Sequence, residues 1–555
     1  EKVSVNHNFF ELGGDSVNAI QVVSRANKKG LKISVQLLFR NQTIAELAIA
    51  AEKDTPKTVI NWEDSCREFM NSLDMGAILE QLPAGVEIED IYPASPLQLH
   101  QVHVMKNLDI EAPPVFLYQK RELPMNITID VDKLEKVLQI VSGRYPMLRT
   151  LLIWKNLPEP VQVVCKKLKF DFVYNDISSV PPEKKNMAAV ELLQEDWNQT
   201  FVRNNSSPMR IGFIKLDENL FQYYLLGDYM RMEGWSTGEF AQEIISFYMI
   251  FKDGADIRYP APQANCYKEY VHTVKILRKQ KENPAEQYWR SVFKDFSRMK
   301  SLTSIPGNQM GQGSGFGISH FYLSPGMSAR MEQFVMEHRL SLSPLIQGIW
   351  AALLAHYLQE DRVVYGMVTT GRSIPIAGIE HMTGHSINIL PMVVPINKNK
   401  TLLDYVRDIR DLQTEWTQYE YTQIEQVYEW LDLQGDYPLF DHYVVFQNLD
   451  SIEGDIRGME RYEDNSKSKV DLVFAKMDYL LRFDVFPGYE HCFICQYYLR
   501  SFTPPAVKGL MDNLKTLVET IIENPRQTFA EWTKSIDTDK YKLYKTGGCD
   551  GFLQG

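Results

Sequence analysis

Between residues 116 and 523, short apolar runs with strand character alternate with stretches of helical period, and this alternation limits the fold more than any other feature. Strand-like runs fall near Phe116–Pro124, Val161–Cys165, Gly212–Asp217, Phe221–Leu226, Arg362–Thr369, Ile389–Val394, His442–Phe446 and Phe483–Val485. Helical stretches fall near Val131–Tyr145, Glu183–Asn204, Gly238–Lys252, Ala285–Phe296, Ser324–His338, Pro344–Tyr357, Leu402–Tyr419 and Pro505–Glu523. So many interleaved elements predict an α/β assembly of two lobes rather than one sheet.

The N-terminal residues follow a different pattern. Gly13 and Gly14 permit a tight turn, and Asp15 and Ser16 offer cap-type side chains at a helix start. Val17, Ile20, Val23 and Ala26 then recur at helical spacing up to the cationic stop Lys28-Lys29-Gly30. Leu37-Leu38-Phe39 reads as an apolar turn, and Thr43 as the cap of a second short helix through Ala51. Lys53-Asp54-Thr55-Pro56-Lys57 breaks the helical pattern as a linker would.

A chain of 555 residues has room for three or four units that each bury a core. A net charge of −12 argues against a nucleic-acid partner, which would need a basic stripe. No apolar run approaches the roughly 20 residues that span a bilayer, and no opening segment reads as a signal peptide, so no membrane partner is expected. The six cysteines, at 66, 165, 266, 492, 495 and 549, are too scattered for a disulfide framework and point to a reducing cytoplasm. Cys492 and Cys495 form a lone C-x-x-C inside the strand-like run His491–Tyr498, without a second pair to complete a zinc site, and no metal is expected. No glycine-rich phosphate loop is present.

The run Asn8-Phe9-Phe10-Glu11-Leu12-Gly13-Gly14-Asp15-Ser16, with Gln42-Thr43-Ile44-Ala45-Glu46-Leu47-Ala48, resembles a peptidyl carrier protein of nonribosomal peptide synthetases. The resemblance implies a small all-α carrier bundle with 4′-phosphopantetheine on Ser16, placed there by a phosphopantetheinyl transferase. Carriers usually begin with a helix ahead of the Phe-Phe loop, so the chain reads as a fragment of a larger synthetase lacking that helix. A second resemblance covers most of the remainder. Tyr92-Pro93-Ala94-Ser95-Pro96-Leu97-Gln98, Arg144-Tyr145-Pro146-Met147-Leu148-Arg149-Thr150, Tyr267-Lys268-Glu269-Tyr270 and Gly371-Arg372-Ser373 occur in the order of condensation-domain motifs. Gly378 to Gly384, Ile387-Asn388-Ile389-Leu390-Pro391, Tyr419-Glu420-Tyr421-Thr422 and Pro438 to Asn448 complete that order. The resemblance implies an α/β two-lobed chloramphenicol-acetyltransferase-like fold, with donor and acceptor carrier-bound thioesters entering a tunnel from opposite sides. It divides the chain into a carrier (1–53), a linker (54–85), an N-lobe (86–265), a C-lobe (266–535) and a tail (536–555). Adjacent adenylation and carrier domains are the implied partners.

The motif expected to carry the chemistry departs from the family. Condensation domains have His-His-x-x-x-Asp-Gly, and this chain has Asp228-Tyr229-Met230-Arg231-Met232-Glu233-Gly234, with Gly234-Trp235-Ser236 fixing the register. Tyr229 thus occupies the place of the catalytic His, Asp228 that of the first His, and Glu233 that of the structural Asp, which implies a Glu233–Arg372 ion pair. A tyrosine titrates near pH ~10 against ~6.5 for histidine and is a poor base at neutrality. General-base help is typically worth ~10²–10⁴-fold, although a phenol can still orient an amine. Three readings follow: amide formation or a related acyl transfer; heterocyclization, because Asp228-x-x-x-x-Glu233-x-x-Ser236 imitates Asp-x-x-x-x-Asp-x-x-Ser; or an inactive platform that recruits a tailoring enzyme. His385, where the family has an apolar residue, is a candidate substitute base, the alternative being a tunnel-lining or surface residue without a catalytic role. Asn388 joins the candidate site, His100 and His103 could line the same tunnel, and Arg149 reads as a lobe brace.

Overall fold

The computed structural model describes residues 3–31, 33–53, 61–108, 115–124, 129–200, 207–228, 230–252, 266–295, 300–305, 307–308, 313, 315–433, 438–447 and 479–536. In chain order the strands of its first part are β1 (Ile88–Pro93), β2 (Val115–Pro124), β3 (Thr150–Ile153), β4 (Val161–Cys165), β5 (Asp171–Asp176), β6 (Met209–Asp217) and β7 (Leu220–Asp228). The later strands are β8 (Phe316–Tyr322), β9 (Arg362–Thr369), β10 (Asn388–Pro395), β11 (His442–Phe446), β12 (Leu481–Phe486) and β13 (Cys492–Tyr498). They form three sheets, in the orders β1-β4-β3, β2-β7-β6-β5 and β10-β9-β11-β12-β13-β8. The first two belong to the N-lobe and the third to the C-lobe, so the expected two-lobed α/β architecture is present.

Each lobe buries its sheet under helices. In the N-lobe, Val131–Arg144 turns Leu134, Val137, Leu138 and Val141 inward, toward Ile211, Phe221, Tyr223 and Leu225 of β6 and β7. In the C-lobe, Leu342–Leu358 is buried without a break from Pro344 to Ala355, which is why its sequence is apolar on every face. It ends where Gln359 turns left-handed at φ 52°. The central strands β11 and β12 run parallel, with His442 opposite Leu481; β11 is apolar apart from His442, whereas β12 alternates apolar residues with the buried ion pair Arg482–Asp484. Cys492 and Cys495 lie three apart on β13, which sends them to opposite faces, and burial pushes the Cys492 thiol up to about 12.

The carrier helices are Ser16–Lys28, Val35–Arg40 and Ile44–Lys53. The middle one replaces the turn expected at Leu37-Leu38-Phe39: Ser34 accepts from Leu37 N at 3.1 Å and caps a helix too short for its period to stand out. Part of the 54–85 segment also differs from a linker. Residues 54–60 lie outside the described residues, but Trp62–Asn71 and Met75–Leu79 are helices that insert Phe69 and Ile78 among Ile91, Leu151 and Val163. The polar residues ahead of them masked that packing. The tail from 537 onward lies outside the described residues.

Helix Trp62–Asn71 also covers His272, which is fully buried on Tyr267–Gln280 against the rings of Trp62 and Phe69. Phe69→Ala is expected to destabilise the folded chain by about 3–5 kcal/mol, read from denaturant unfolding, because the cavity lies under a docked helix; an unchanged midpoint would mean that residues 61–85 are not packed. Burial, with smaller contributions from Lys268 and Lys275, holds His272 down at about 4. The unfolded chain therefore takes up this proton before the folded one does. The stabilising contribution of neutral His272 is whole above pH ~6.5 and is lost as pH falls from there to about 4. His272→Leu is expected to flatten that part of the stability–pH curve.

Candidate active site

The loop after β7 lies where the two lobes meet, and its charged side chains are consumed in holding it. Asp228, 2% exposed, accepts from Arg231 Nε at 2.5 Å and from Met230 N at 2.8 Å. Arg231 in turn donates to Thr150 O at 3.3 Å. Glu233 is fully buried and pairs with Arg372, itself 1% exposed. The second carboxylate oxygen of Glu233 accepts from Ser386 N at 2.9 Å and Ile387 N at 3.2 Å. Arg372 donates on to Ile379 O and Met382 O, each at 2.8 Å, and its guanidinium lies 4.9 Å over the Trp235 ring. The ion pair inferred from the motif register is thus formed. A buried charge pair of this kind is tolerable because backbone amides and carbonyls hydrogen-bond to both of its members.

The Arg372 strap, residues 371–387, depends on a left-handed glycine. Gly371 has φ +65°, and a Cβ there would lie 2.1 Å from Ser386 O. At the end of the strap Asn388 donates to Glu420 O and Thr422 O, both at 2.8 Å, and so ties β10 to the segment that follows Trp416. Ser236 Oγ donates to Glu233 at 3.3 Å and accepts from Gly384 N at 3.3 Å. Gly234 opens the helix that follows the loop. Tyr229 lies outside the described residues.

His385 is not a surface residue: it is 1% exposed, with Nδ1 2.9 Å from Ser95 Oγ. His100 meets Glu425 at 2.6 Å, which joins helix Pro96–Leu108 to helix Ile424–Trp430, while His103 is exposed. Arg149 binds Ser142 O and the Glu89 carboxylate inside the N-lobe. Ser95, Gln98, Glu380 and Glu420 lie inside the quoted motifs, but motif order assigned them no role. Glu420 is buried and held by Thr369 and Ser373, and burial raises its pKa.

The carrier rests on the outer side of the same strap. Lys28 Nζ lies 3.1 Å from Glu380 Oε1, Ser24 Oγ accepts from Gly378 N at 2.9 Å, and Gln36 Nε2 donates to Ser373 Oγ at 3.2 Å. Ala19, Ile20, Val23 and Val35 share one apolar cluster with Ile374, Ile376 and Ile379. Farther along, Arg339 meets Glu11 at 2.8 Å. Ser16 lines an open cavity with Met336, Ser341, Phe446, Gln447 and Gly488 of the C-lobe.

Residues 88–544 match the family described as "Condensation domain", and residues 1–50 match "Phosphopantetheine attachment site". The chain belongs to the condensation-domain family. It is 26% identical over 481 residues to a linear gramicidin synthase subunit of Brevibacillus parabrevis, covering 85% of this chain and 6% of that protein. It is 25% identical over 448 residues to surfactin synthase subunit 3 of Bacillus subtilis (strain 168), covering 80% of this chain and 34% of that protein. The chain therefore spans a minor part of both relatives. The first condensation domain of the calcium-dependent antibiotic synthetase, in complex with a substrate analogue, has the same fold, with a TM-score of 0.62 at 14% identity over 80% of this chain and 99% of that one. The four-domain nonribosomal peptide synthetase holo-AB3403 matches with a TM-score of 0.64 at 13% identity, over 82% of this chain and 34% of that one.

The attachment-site match implies 4′-phosphopantetheine, and the residues around Ser16 fit it. Asp15, not Ser16, caps the first carrier helix, accepting from Asn18 N at 2.7 Å, so capping makes no claim on the Ser16 hydroxyl. Gly13, at φ +81°, turns the chain just ahead of it, and Ser16 lines an open cavity. In the condensation domain itself, no group of three metal-ligating side chains occurs among the described residues, and none of the described helices is long and apolar enough to cross a membrane. Removing one member of the buried pair leaves the other charge without its partner. Glu233→Gln and Arg372→Met are each expected to cost about 3–5 kcal/mol in chemical denaturation. The double substitution is expected to cost less than the sum of the two; additive losses would show that the pair is not coupled.

Proposed function

We propose that this chain forms amide bonds in nonribosomal peptide synthesis, with its own carrier as the donor. When bound to Ser16, phosphopantetheine supplies a flexible arm that holds an acyl group as a reactive thioester. The observation that carries the reading is the position of Ser16 at a cavity walled by the C-lobe, with the carrier held on the strap by Lys28, Ser24 and Gln36. An upstream carrier seated this way presents its cargo in cis, and the acceptor amine comes from a second carrier on the far side. Adenylation domains that load the two carriers and a phosphopantetheinyl transferase that modifies Ser16 are the remaining partners, in the cytoplasm.

Within the site, Glu233 and Arg372 hold the loop, Asp228 fixes its first turn through Arg231, and Asn388 fixes the end of the strap. Tyr229 takes the place of the family's catalytic histidine as a hydrogen-bonding group that orients the amine. Proximity and orientation supply much of the rate in such a site. The cyclization-like spacing of Asp228, Glu233 and Ser236 is accounted for by the two ion pairs and the Ser236 bond, which favours simple amide formation over cyclodehydration.

Intact-mass measurement of Ser16-loaded chain mixed with an amine-loaded acceptor carrier is expected to show the acyl group moved to the acceptor as an amide. Ser16→Ala abolishes this. Lys28→Glu slows it, and adding Glu380→Lys recovers part of the loss. A product lighter by one water would establish heterocyclization instead, and no transfer from a fully loaded native chain would establish a platform.

A further inference from the structure

Ser95 and His385 meet across the lobe junction, 290 residues apart in sequence, and neither belongs to the loop that carries Tyr229. Ser95 precedes the helix Pro96–Leu108, and His385 sits in the strap. The two residues are 2% and 1% exposed, and Ser95 Oγ lies 2.9 Å from His385 Nδ1. Gln98 secures the serine from both sides: its backbone N–H donates to Ser95 Oγ at 3.4 Å, and its side-chain carbonyl accepts from Ser95 N at 2.9 Å. A hydroxyl oxygen accepts two hydrogen bonds, so the contact fits either ring tautomer; the one with Nδ1 bare and the ring proton on Nε2 is the tautomer able to receive a proton from Ser95.

The pair is anchored to the reactive loop. Gln98 Nε2 donates to Met230 O at 2.7 Å, one residue beyond Tyr229. Ser386, next to His385, gives its amide to Glu233, and the Tyr267 hydroxyl fixes His385 O at 3.1 Å. Ser95 also lines an open cleft, together with Tyr270, Lys275, Arg278 and Gln426. Ser95 is thus the member of the pair at the cleft wall, and His385, which does not line the cleft, stands behind it.

We propose that Ser95 and His385 form a proton relay that replaces the imidazole missing from position 229. The inference rests on the amide-forming reading above. As the acceptor amine forms its C–N bond to the acyl carbon and the C–S bond breaks, the amine proton passes to Ser95 Oγ and the Ser95 hydroxyl proton passes to His385 Nδ1. The imidazolium then returns its proton, by the same path, to the departing thiolate. Protons balance, and no further reactant is needed.

The test combines single-turnover amide formation across pH with nitrogen NMR of labelled histidines in the arm-free chain. The native rate should fall on acidification as His385 protonates and can no longer accept. Ser95→Ala and His385→Gln should each lose about 100-fold or more in rate and lose that limb of the profile, measured at a temperature where the variant chain remains folded. The His385 resonances, identified by their disappearance in His385→Gln, should show an unprotonated Nδ1 that shifts in Ser95→Ala. Native rates and an unchanged pH limb in Ser95→Ala would overturn the relay even where His385→Gln fails to fold. A protonated Nδ1 would overturn it too. A native chain that forms no amide overturns the functional reading and the relay together, whereas amide formation indifferent to both substitutions overturns the relay alone.

Discussion

The buried pair of Glu233 and Arg372 is the contact on which the lobe junction depends. Both groups have lost their water, a penalty of several kcal/mol per ion that attraction alone does not reliably offset. The surrounding chain makes up the difference with backbone groups: two amides from residues 386 and 387 for the carboxylate, two carbonyls from residues 379 and 382 for the guanidinium. All four lie on one strap, so the pair dictates the course of residues 371–387. That course in turn seats the carrier on one side and the loop after β7 on the other. The strap can follow it because Gly371 is left-handed where a side chain would strike Ser386 O.

The same logic separates structural from reactive groups. Asp228 and Glu233 are both buried, and each is committed to an arginine and to backbone amides. Glu420, whose burial raises its pKa, is committed to hydroxyls. Carboxylates held in this way fix geometry and have little left for proton transfer. The imidazole of His385, paired to a serine hydroxyl at the edge of a cleft, is in a different position.

Local pattern made much of the fold legible. Arg362–Thr369 and His442–Phe446 are strands with the bounds their apolar runs suggested, and Leu342–Leu358 exceeds its expected span by a turn at most. Elements with weak local signals were not legible. Val35–Arg40 has under two turns in which to express a period, and Trp62–Asn71 hides its one buried aromatic, Phe69, among charged neighbours. Tyr267–Gln280 lies behind four motif residues whose interest is side-chain chemistry rather than period. Within the site, the Glu233–Arg372 pair could be read from motif register, because two recognisable sequences implied it. The Ser95–His385 contact could not, since no spacing links residues brought together only by closure of the lobes.

Amide hydrogen exchange at Ser386 and Ile387 in the intact chain tests the central claim most directly, because both N–H groups bind Glu233 on the strap that the carrier contacts at Ser373, Gly378 and Glu380. The account predicts that they exchange slowly and together, and that Lys28→Glu, which loosens the carrier from the strap, speeds both. Exchange at the rate of exposed loops in the native chain, or rates untouched by Lys28→Glu, would contradict a strap that joins the carrier to the loop after β7.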